Sequence, residues 1–247
     1  MKSPESLSSD PFSGHFPGEM LEDLEDLPNY NDWIVSMLAP ALRGRAAEIG
    51  AGLGTFAERI RPHVDSLELV EPAPELAGRL TEKFAAEDGY RVMEQTLEDW
   101  LQAGMQAEFD SIVLVNVLEH IKDDRAAAEG FYRNLKAGGR LMIFVPAMPF
   151  LYSKLDFAYG HYRRYTRKTL RQRVVAAGFE IEMLRFVDFA GVLPWWLLNT
   201  VLGKTTFHAP SLRVYDKYFV PVTRSFETVL APPVGKNLIL IARKAGT

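Results

Sequence analysis

The sequence predicts an α/β protein with a doubly wound, mostly parallel sheet of seven strands and helices on both faces. Three observations predict it. Short apolar runs alternate with amphipathic runs from about residue 45 to 145, the βαβα order that builds a parallel sheet. The runs at 109–117 (FDSIVLVNV) and 140–145 (RLMIFV) are almost continuously apolar, as strands covered on both faces must be. The first strand opens into a glycine turn, which suits a ligand bound beyond the carboxyl end of a strand.

The elements follow in order. Residues 45–50 form a short strand ending in glycine, and 55–62 start a helix. A strand at 66–70 is closed by Glu71-Pro72. A helix at 75–87 carries Leu76, Leu80 and Phe84 on one face, spaced by four. A strand at 90–95 and a short helix at 97–103 precede the strand at 109–117. The helix at 123–136 is stopped by Gly138-Gly139, and the strand at 140–145 follows. Residues 147–165 form a long insertion rich in aromatic and basic side chains. A helix at 167–177, a strand at 179–187, an apolar stretch at 189–203, a helical run at 211–230 and a strand at 237–244 complete the chain. The last two strands are expected to add an antiparallel edge. The domain is expected over 28–247, with a core at about 45–146, an inserted or appended helical cap at about 147–232 and the closing strand at about 235–244.

Bulk properties exclude several functions. The chain has 247 residues, 47% apolar and 24% charged, ordinary for one globular domain with an appended part. Its net charge is -4 with a pI near 5.8, so no global basic field favours nucleic acid. There is no cysteine, which removes disulfides, thiolate metal sites and a cysteine nucleophile. Residues 1–27 lack the basic and apolar runs of an export signal and read as a mobile acidic tail, with Leu21 and Leu24 as a sticky face. The expected location is the cytoplasm. The apolar stretch at 189–203 is shorter than the ~20 residues a bilayer span needs, and it contains Pro194 and Asn199.

The glycine turn reads Glu48-Ile49-Gly50-Ala51-Gly52-Leu53-Gly54-Thr55. A dinucleotide fingerprint wants G-x-G-x-x-G. Here Thr55 takes the last position and Gly54 comes one residue early, which argues against a nicotinamide oxidoreductase. Glu71 lies about 20 residues past the loop, where a carboxylate accepts hydrogen bonds from both ribose hydroxyls.

The pattern E-x-G-x-G-x-G resembles the first motif of class I S-adenosylmethionine (SAM)-dependent methyltransferases. Asn116-Val117-Leu118-Glu119-His120 resembles the family's "VLEH" segment, and Leu135-Lys136-Ala137-Gly138-Gly139 resembles its turn into the fifth strand. The resemblance implies the Rossmann-like class I methyltransferase fold, SAM as cofactor and S-adenosylhomocysteine as product. It implies that Gly50, Ala51, Gly52 and Gly54 pack against the methionine part of SAM, and that Glu48 helps hold the amino end. Glu71 and Pro72 fall to the ribose, Leu97 to the adenine, and Asn116 and Val117 beside the sulfonium. Tyr30 and Trp33 begin a helix that in this family covers SAM, with Tyr30 reaching the carboxylate end.

The acceptor side is read from less. His120, at the end of the fourth strand, is a candidate base, as is His161; a loop-orienting role is the alternative for His120. Asp156-Phe157-Ala158-Tyr159-Gly160-His161-Tyr162-Arg163-Arg164-Tyr165-Thr166 resembles a "GHxRRYT" segment of bacterial methyltransferases associated with surface glycans. Tyr162, Arg163, Arg164 and Tyr165 are candidates for an anionic or sugar-bearing acceptor, or else they pair with acids and pack. Asp156 and His161 are conceivable metal ligands, but the sequence shows no compact carboxylate set typical of a magnesium-dependent catechol enzyme, so no metal is expected. Trp195 and Trp196 belong to a core or dimer helix, or touch a membrane surface or a lipid-linked acceptor. The function expected is methyl transfer to a small-molecule or glycan acceptor, at a hydroxyl oxygen. The alternatives are a non-catalytic SAM-binding module or the nicotinamide enzyme.

Overall fold

The computed structural model describes residues 27–103, 107–206 and 209–246. The sheet has seven strands: β1 (Arg45–Ile49), β2 (Ser66–Glu71), β3 (Tyr90–Glu94), β4 (Phe109–Val115), β5 (Leu135–Pro146), β6 (Phe179–Val187) and β7 (Asn237–Lys244). They lie in the order β3-β2-β1-β4-β5-β7-β6. The first five pair in parallel. β7 inserts antiparallel between β5 and β6, the antiparallel edge expected from the last two strands.

Alternation along the central strands explains their apolar runs. Val113 and Val115 of β4 and Met142 and Phe144 of β5 join one core. Ile112, Leu114, Leu141, Ile143 and Val145 join the other. Successive side chains point to opposite faces, so burial on both sides favours apolar residues all along these runs. Helix α1 (Pro28–Leu38) brings Trp33, Ile34 and Leu38 to the first core. Helices α2 (Ala57–Ile60) and α3 (Pro74–Lys83) add Ile60 and Leu80 to it. Helices α4 (Leu97–Gln102) and α5 (Asp124–Asn134) cover the other face through Trp100 and Phe131.

Several boundaries differ from expectation. The helix at 123–136 stops at Asn134, because Leu135 already pairs with Phe109 of β4. The helix at 55–62 shrinks to Ala57–Ile60 and a 3-10 turn at Arg61–His63. The proposed cap at 147–232 divides in two. After the short helix α6 (Lys154–Ala158), helix α7 (Arg167–Ala176) supplies Leu170 and Val174 to the sheet core and is an ordinary crossover helix. The cap proper runs from Asp188 to about residue 234. It holds α8 (Val192–Trp195) with a π-helical continuation Trp196–Val201, α9 (Ala209–Val214) with a π segment Tyr215–Phe219, and α10 (Val220–Val229). The tail expected over 1–27 lies outside the described residues except for Leu27, which is buried in the first core.

One edge of the sheet gathers the chemistry. Gly50, Glu71, Asn116, Ala147 and Asp188 end or follow β1, β2, β4, β5 and β6, and Asn237 opens β7 on the same edge. Asn116, Met148 and Asp188 each have positive φ, at 53°, 61° and 64°. Non-glycine residues rarely adopt this conformation, and such backbones concentrate at functional sites.

Candidate functional site

The glycine loop is built by backbone geometry. Gly50, Gly52 and Gly54 have φ of 70°, 56° and 79°, a region that glycine enters without a Cβ penalty. Space matters as well at two of them. A Cβ on Gly50 would lie 2.7 Å from Val117 Cγ2, and one on Gly54 would lie 2.9 Å from the Phe84 ring. The third glycine therefore seats the loop on α3, while the first lets the tip of β4 come close. Gly50 N–H donates to Val70 O at 2.8 Å, which fixes the loop to the end of β2.

Glu71 closes the loop from that side. Gly52 N–H donates to its Oε2 at 2.9 Å and Ala73 N–H to its Oε1 at 3.0 Å. Each carboxylate oxygen keeps a further lone pair, so the group still accepts from a diol. Burial raises the Glu71 pKa, and the two backbone hydrogen bonds oppose that rise.

Glu48 is buried, and its Oε2 has no hydrogen-bond partner among the described residues. Burial, then the Glu71 charge, pushes it up to about 8, against the opposite pull of Lys83. A buried carboxyl without a donor is costly. An ammonium group next to it would supply the missing donor and charge. Positive-φ glycines, an orphaned acid on the strand before them and a second acid at the next strand end fit the amino-acid and ribose ends of SAM. Pro72 is exposed beside Glu71, Leu97 is half-buried at the start of α4, and Asn116 and Val117 border the loop at the end of β4.

Tyr30 departs from its expected place. Its hydroxyl donates to Asp188 Oδ2 at 3.1 Å and accepts from Asn237 Nδ2, at the β6–β7 end of the sheet. Its polar atom is spent on protein, not on the methionine end of a cofactor. Asp188 also accepts from Tyr215 Oη and Gly191 N–H and pairs with Lys236 Nζ at 3.0 Å. This network joins α1 to the cap. The sequence reading missed it, because no signal links residues 30, 188, 215 and 236.

The second half of the site joins β4 to the segment after α6. Glu119 and His120 lie in a 3-10 turn, Leu118–His120, directly after Asn116 and Val117. His161 comes from the loop beyond α6. Asp156 holds it, with Oδ1 at 2.9 Å from His161 Nδ1. That carboxylate assigns the proton to Nδ1 and leaves Nε2 facing Glu119 Oε1 at 4.0 Å. The rings of His120 and His161 meet edge to face at 4.7 Å. Glu119 is fully buried, and neither side-chain oxygen has a hydrogen-bond partner among the described residues.

Electrostatics separates these groups. Burial pushes Glu119 up to about 7, and His161 and Arg164 pull it down. Burial, then His161, draws His120 down to about 3, so this imidazole stays neutral near pH 7 and is a weak base. Asp156 stays below its usual range: burial raises it, but the His161 hydrogen bond and the Arg164 charge outweigh burial.

The four residues expected to touch the acceptor are mostly engaged with the protein. Arg164 is buried, pairs with Asp156 at 2.8 Å, donates to Ala147 O at 3.2 Å and stacks over Trp195. Tyr165 is buried and donates to Asp124 Oδ2 at 2.9 Å and Leu118 O at 3.2 Å. Arg163 pairs with Asp124 at 2.8 Å and donates to Lys122 O at 2.8 Å. Tyr162 is half-buried, and its N–H donates to Glu119 O at 2.9 Å. The geometry of Arg163, Arg164 and Tyr165 follows the packing alternative. Glu119 lies in the VLEH-like segment, where the sequence points to His120 and not to its neighbour. Its clue was a lone acid beside a histidine at a strand end.

The tryptophan pair also divides. Trp195 faces inward, its indole N–H donating to Leu151 O at 3.1 Å. Trp196 is 42% exposed. No helix among the described residues is long and apolar enough to cross a membrane.

A family model for the methyltransferase domain matches residues 20–184. The chain is 31% identical over 113 residues to the ubiquinone biosynthesis O-methyltransferase of Xylella fastidiosa strain 9a5c, a match that covers 44% of this chain and 44% of that relative's length. Among solved structures, a SAM-dependent methyltransferase of Thermotoga maritima aligns with a TM-score of 0.60 at 20% identity, over 92% of this chain and 93% of that one. A SAM-dependent methyltransferase of Mesorhizobium loti aligns at 0.59 and 16%, over 85% and 95%. At such identities these structures speak for the fold. The family match removes the nicotinamide alternative and agrees with the loop geometry: the chain belongs to the methyltransferase domain family, the class I enzymes whose cofactor is SAM.

Proposed function

We propose that this chain moves a methyl group from SAM to a hydroxyl oxygen of a small-molecule or glycan acceptor carried on a lipid. The observation that carries the hydroxyl reading is the Asp156-oriented His161, whose Nε2 faces the β4 tip beside the glycine loop. An amine reaches a methyl donor already nucleophilic at high enough pH, whereas a hydroxyl gains from a positioned base. The O-methyltransferase name of the Xylella relative supports the same choice.

Bound SAM supplies a methyl group already activated by a sulfonium. Glu48 and the loop around Gly50, Ala51, Gly52 and Gly54 would hold its amino-acid end, Glu71 and Pro72 its ribose and Leu97 its adenine, with Asn116 and Val117 on the sulfonium side. His161 Nε2 would accept the proton of the acceptor hydroxyl while the S–CH3 bond gives way to the O–CH3 bond and S-adenosylhomocysteine leaves, and Asp156 would stabilise the resulting imidazolium. His120 stays neutral and offers a hydrogen bond. Tyr162, Arg163, Arg164 and Tyr165 act as positioning residues: they hold His161 and the β4 tip in place.

The lipid part of the reading rests on the cap. Phe189, Leu193, Trp196, Leu197, Val201, Leu202, Phe219, Phe226, Val229 and Leu230 are large, apolar and exposed, far more than scattered surface hydrophobics. From 189 to 236 the sequence has five basic residues and two acidic ones, and both acids, Asp216 and Glu227, are buried. An exposed apolar cap of net basic composition suits an anionic bilayer surface.

The test is release of S-adenosylhomocysteine with phenolic and glycosyl alcohols, free and lipid-linked, against amine analogues. Turnover on alcohols that falls at least a hundredfold in His161→Asn supports the reading. Methylation of amines alone, or SAM binding without turnover on any acceptor, overturns it. Sedimentation with phosphatidylglycerol vesicles, lost in Trp196→Glu/Leu197→Glu, supports the surface. A homodimer that hides the cap and leaves vesicles unbound overturns it.

A further inference from the structure

The geometry points to a binding site for a divalent transition-metal cation formed by Glu119, His120 and His161. One ligand atom from each lies within 4.8 Å of the others. No compact carboxylate set in the sequence points to a metal. The folded chain instead joins two residues from the β4 tip to a third, forty-one positions on from His120.

Three features separate this cluster from a chance grouping. First, Glu119 is fully buried, with both oxygens lacking a hydrogen-bond partner among the described residues. A buried carboxylate is retained where a cation or donor meets it. Arg164 acts on it through charge alone, since its hydrogen bonds go to Asp156 and Ala147 O and supply no donor to Glu119. Second, His161 has a carboxylate on its far nitrogen. That carboxylate–imidazole arrangement orients metal-binding histidines and raises their basicity. Third, the two segments are locked by the Tyr162 N–H bond to Glu119 O at 2.9 Å, so the donors are held near one another before any ion arrives.

The donor set selects the ion. Two imidazoles and one carboxylate suit zinc, manganese, iron(II) or cobalt, while magnesium and calcium prefer oxygen ligands. Donor–metal distances of about 2.0–2.2 Å bring neighbouring donors to about 3–3.5 Å. Glu119 must therefore move in by about an ångström from its 4.0 Å separation from His161 Nε2, within reach of a side-chain rotation. Three protein ligands leave coordination positions open, as in catalytic sites. If the proposed hydroxyl transfer is right, the acceptor oxygen takes an open position. His161 Nε2 would then be a ligand: the metal-free chain uses that nitrogen as the base, whereas in the loaded chain the ion would acidify the hydroxyl and the proton would go to solvent.

The experiment titrates chelator-stripped full-length protein with zinc, manganese and magnesium by calorimetry, and records the visible spectrum with cobalt(II). Expected are one zinc per chain, magnesium at least a hundredfold weaker, and a cobalt spectrum of nitrogen–oxygen ligation. Glu119→Gln should bind zinc at least tenfold more weakly. The cobalt spectrum of the unaltered protein reports on the site even if that variant folds poorly. No saturable binding, or equal zinc affinity in Glu119→Gln and His120→Gln, overturns the proposal. Zinc binding without methyl transfer would keep the site and sink the proposed activity. Transfer undiminished by chelation, in a protein that binds no zinc, would do the reverse.

Discussion

Replacing Glu48 by Gln should stabilise the cofactor-free protein and weaken SAM binding at the same time. Burial, with the Glu71 charge next and Lys83 opposing, raises Glu48 from 4.5 to about 8. As pH rises from about 4.5, the unfolded chain loses this proton while the folded chain keeps it. The stability present below the unfolded pKa is therefore lost progressively until the pH passes the folded value near 8. Each unit of difference is worth about 1.4 kcal/mol, so the loss between about pH 5 and 8 is of order 3 kcal/mol. Gln does not titrate and escapes it. For a chain of this length the variant's melting advantage should grow by roughly 6–12 °C over that range. SAM affinity should move the other way, because Gln offers no charge to an ammonium group. Binding to the unaltered protein near pH 7 should also release a proton, seen as a calorimetric heat that depends on the buffer. Differential scanning at several pH values and titration in two buffers measure both. Parallel melting profiles for the two proteins would refute the burial argument. Equal SAM affinity would refute the placement of the ammonium group.

Three further outcomes follow from named contacts. Glu71→Ala should weaken SAM binding more than tenfold by calorimetry, since charge-assisted hydrogen bonds are lost, and unchanged affinity would remove Glu71 from the ribose. Arg164→Met leaves Asp156 buried without its cation and should cost about 3 kcal/mol in urea unfolding; a change under about 1 kcal/mol would mean water or His161 replaces the pair. Gly50→Ala meets Val117 Cγ2 at 2.7 Å with φ of 70°. Adding Val117→Ala to it should restore only part of the lost melting temperature, because the backbone strain of about 1–3 kcal/mol remains.

The geometry of the glycine loop and its two acids was legible in the sequence because it is local. Glu48 to Gly54 is one strand end and its turn, and Glu71 ends the next strand, paired in register with the first. Period and spacing carry such information. The acceptor half was not, because its partners are far apart in the chain. Arg163 and Arg164 look like ligand-binding cations until Asp124 and Asp156 come to meet them. Tyr30 was assigned by position in the chain, yet its hydroxyl is decided by Asp188, 158 residues away. Trp195 and Trp196 could not be told apart either, since the switch from α to π geometry between them falls where the apolar run is uniform. The helix that ran on to 136 failed for a similar reason: Leu135 suits a helix, and only its pairing with Phe109 makes it a strand.

The segment from His161 to Tyr165 gains its meaning from what it fastens. Tyr165 N–H donates to Pro146 O, and Met148 N–H donates to Tyr165 O, both at 2.9 Å, which adds a short bridge beyond the end of β5. The Tyr165 hydroxyl reaches Leu118 O after β4 and Asp124 at the head of α5. Tyr162 N–H reaches Glu119 O. A few residues thus tie the tips of two parallel strands together, and the strained backbones of Asn116 and Met148 sit at the two ends of the tie. Strain of this kind persists only where surrounding contacts over-determine it. Those contacts set His161 against Glu119 with its far nitrogen on Asp156. The basic and aromatic residues of the motif therefore serve the proposed base, His161, indirectly, by leaving it one place to stand.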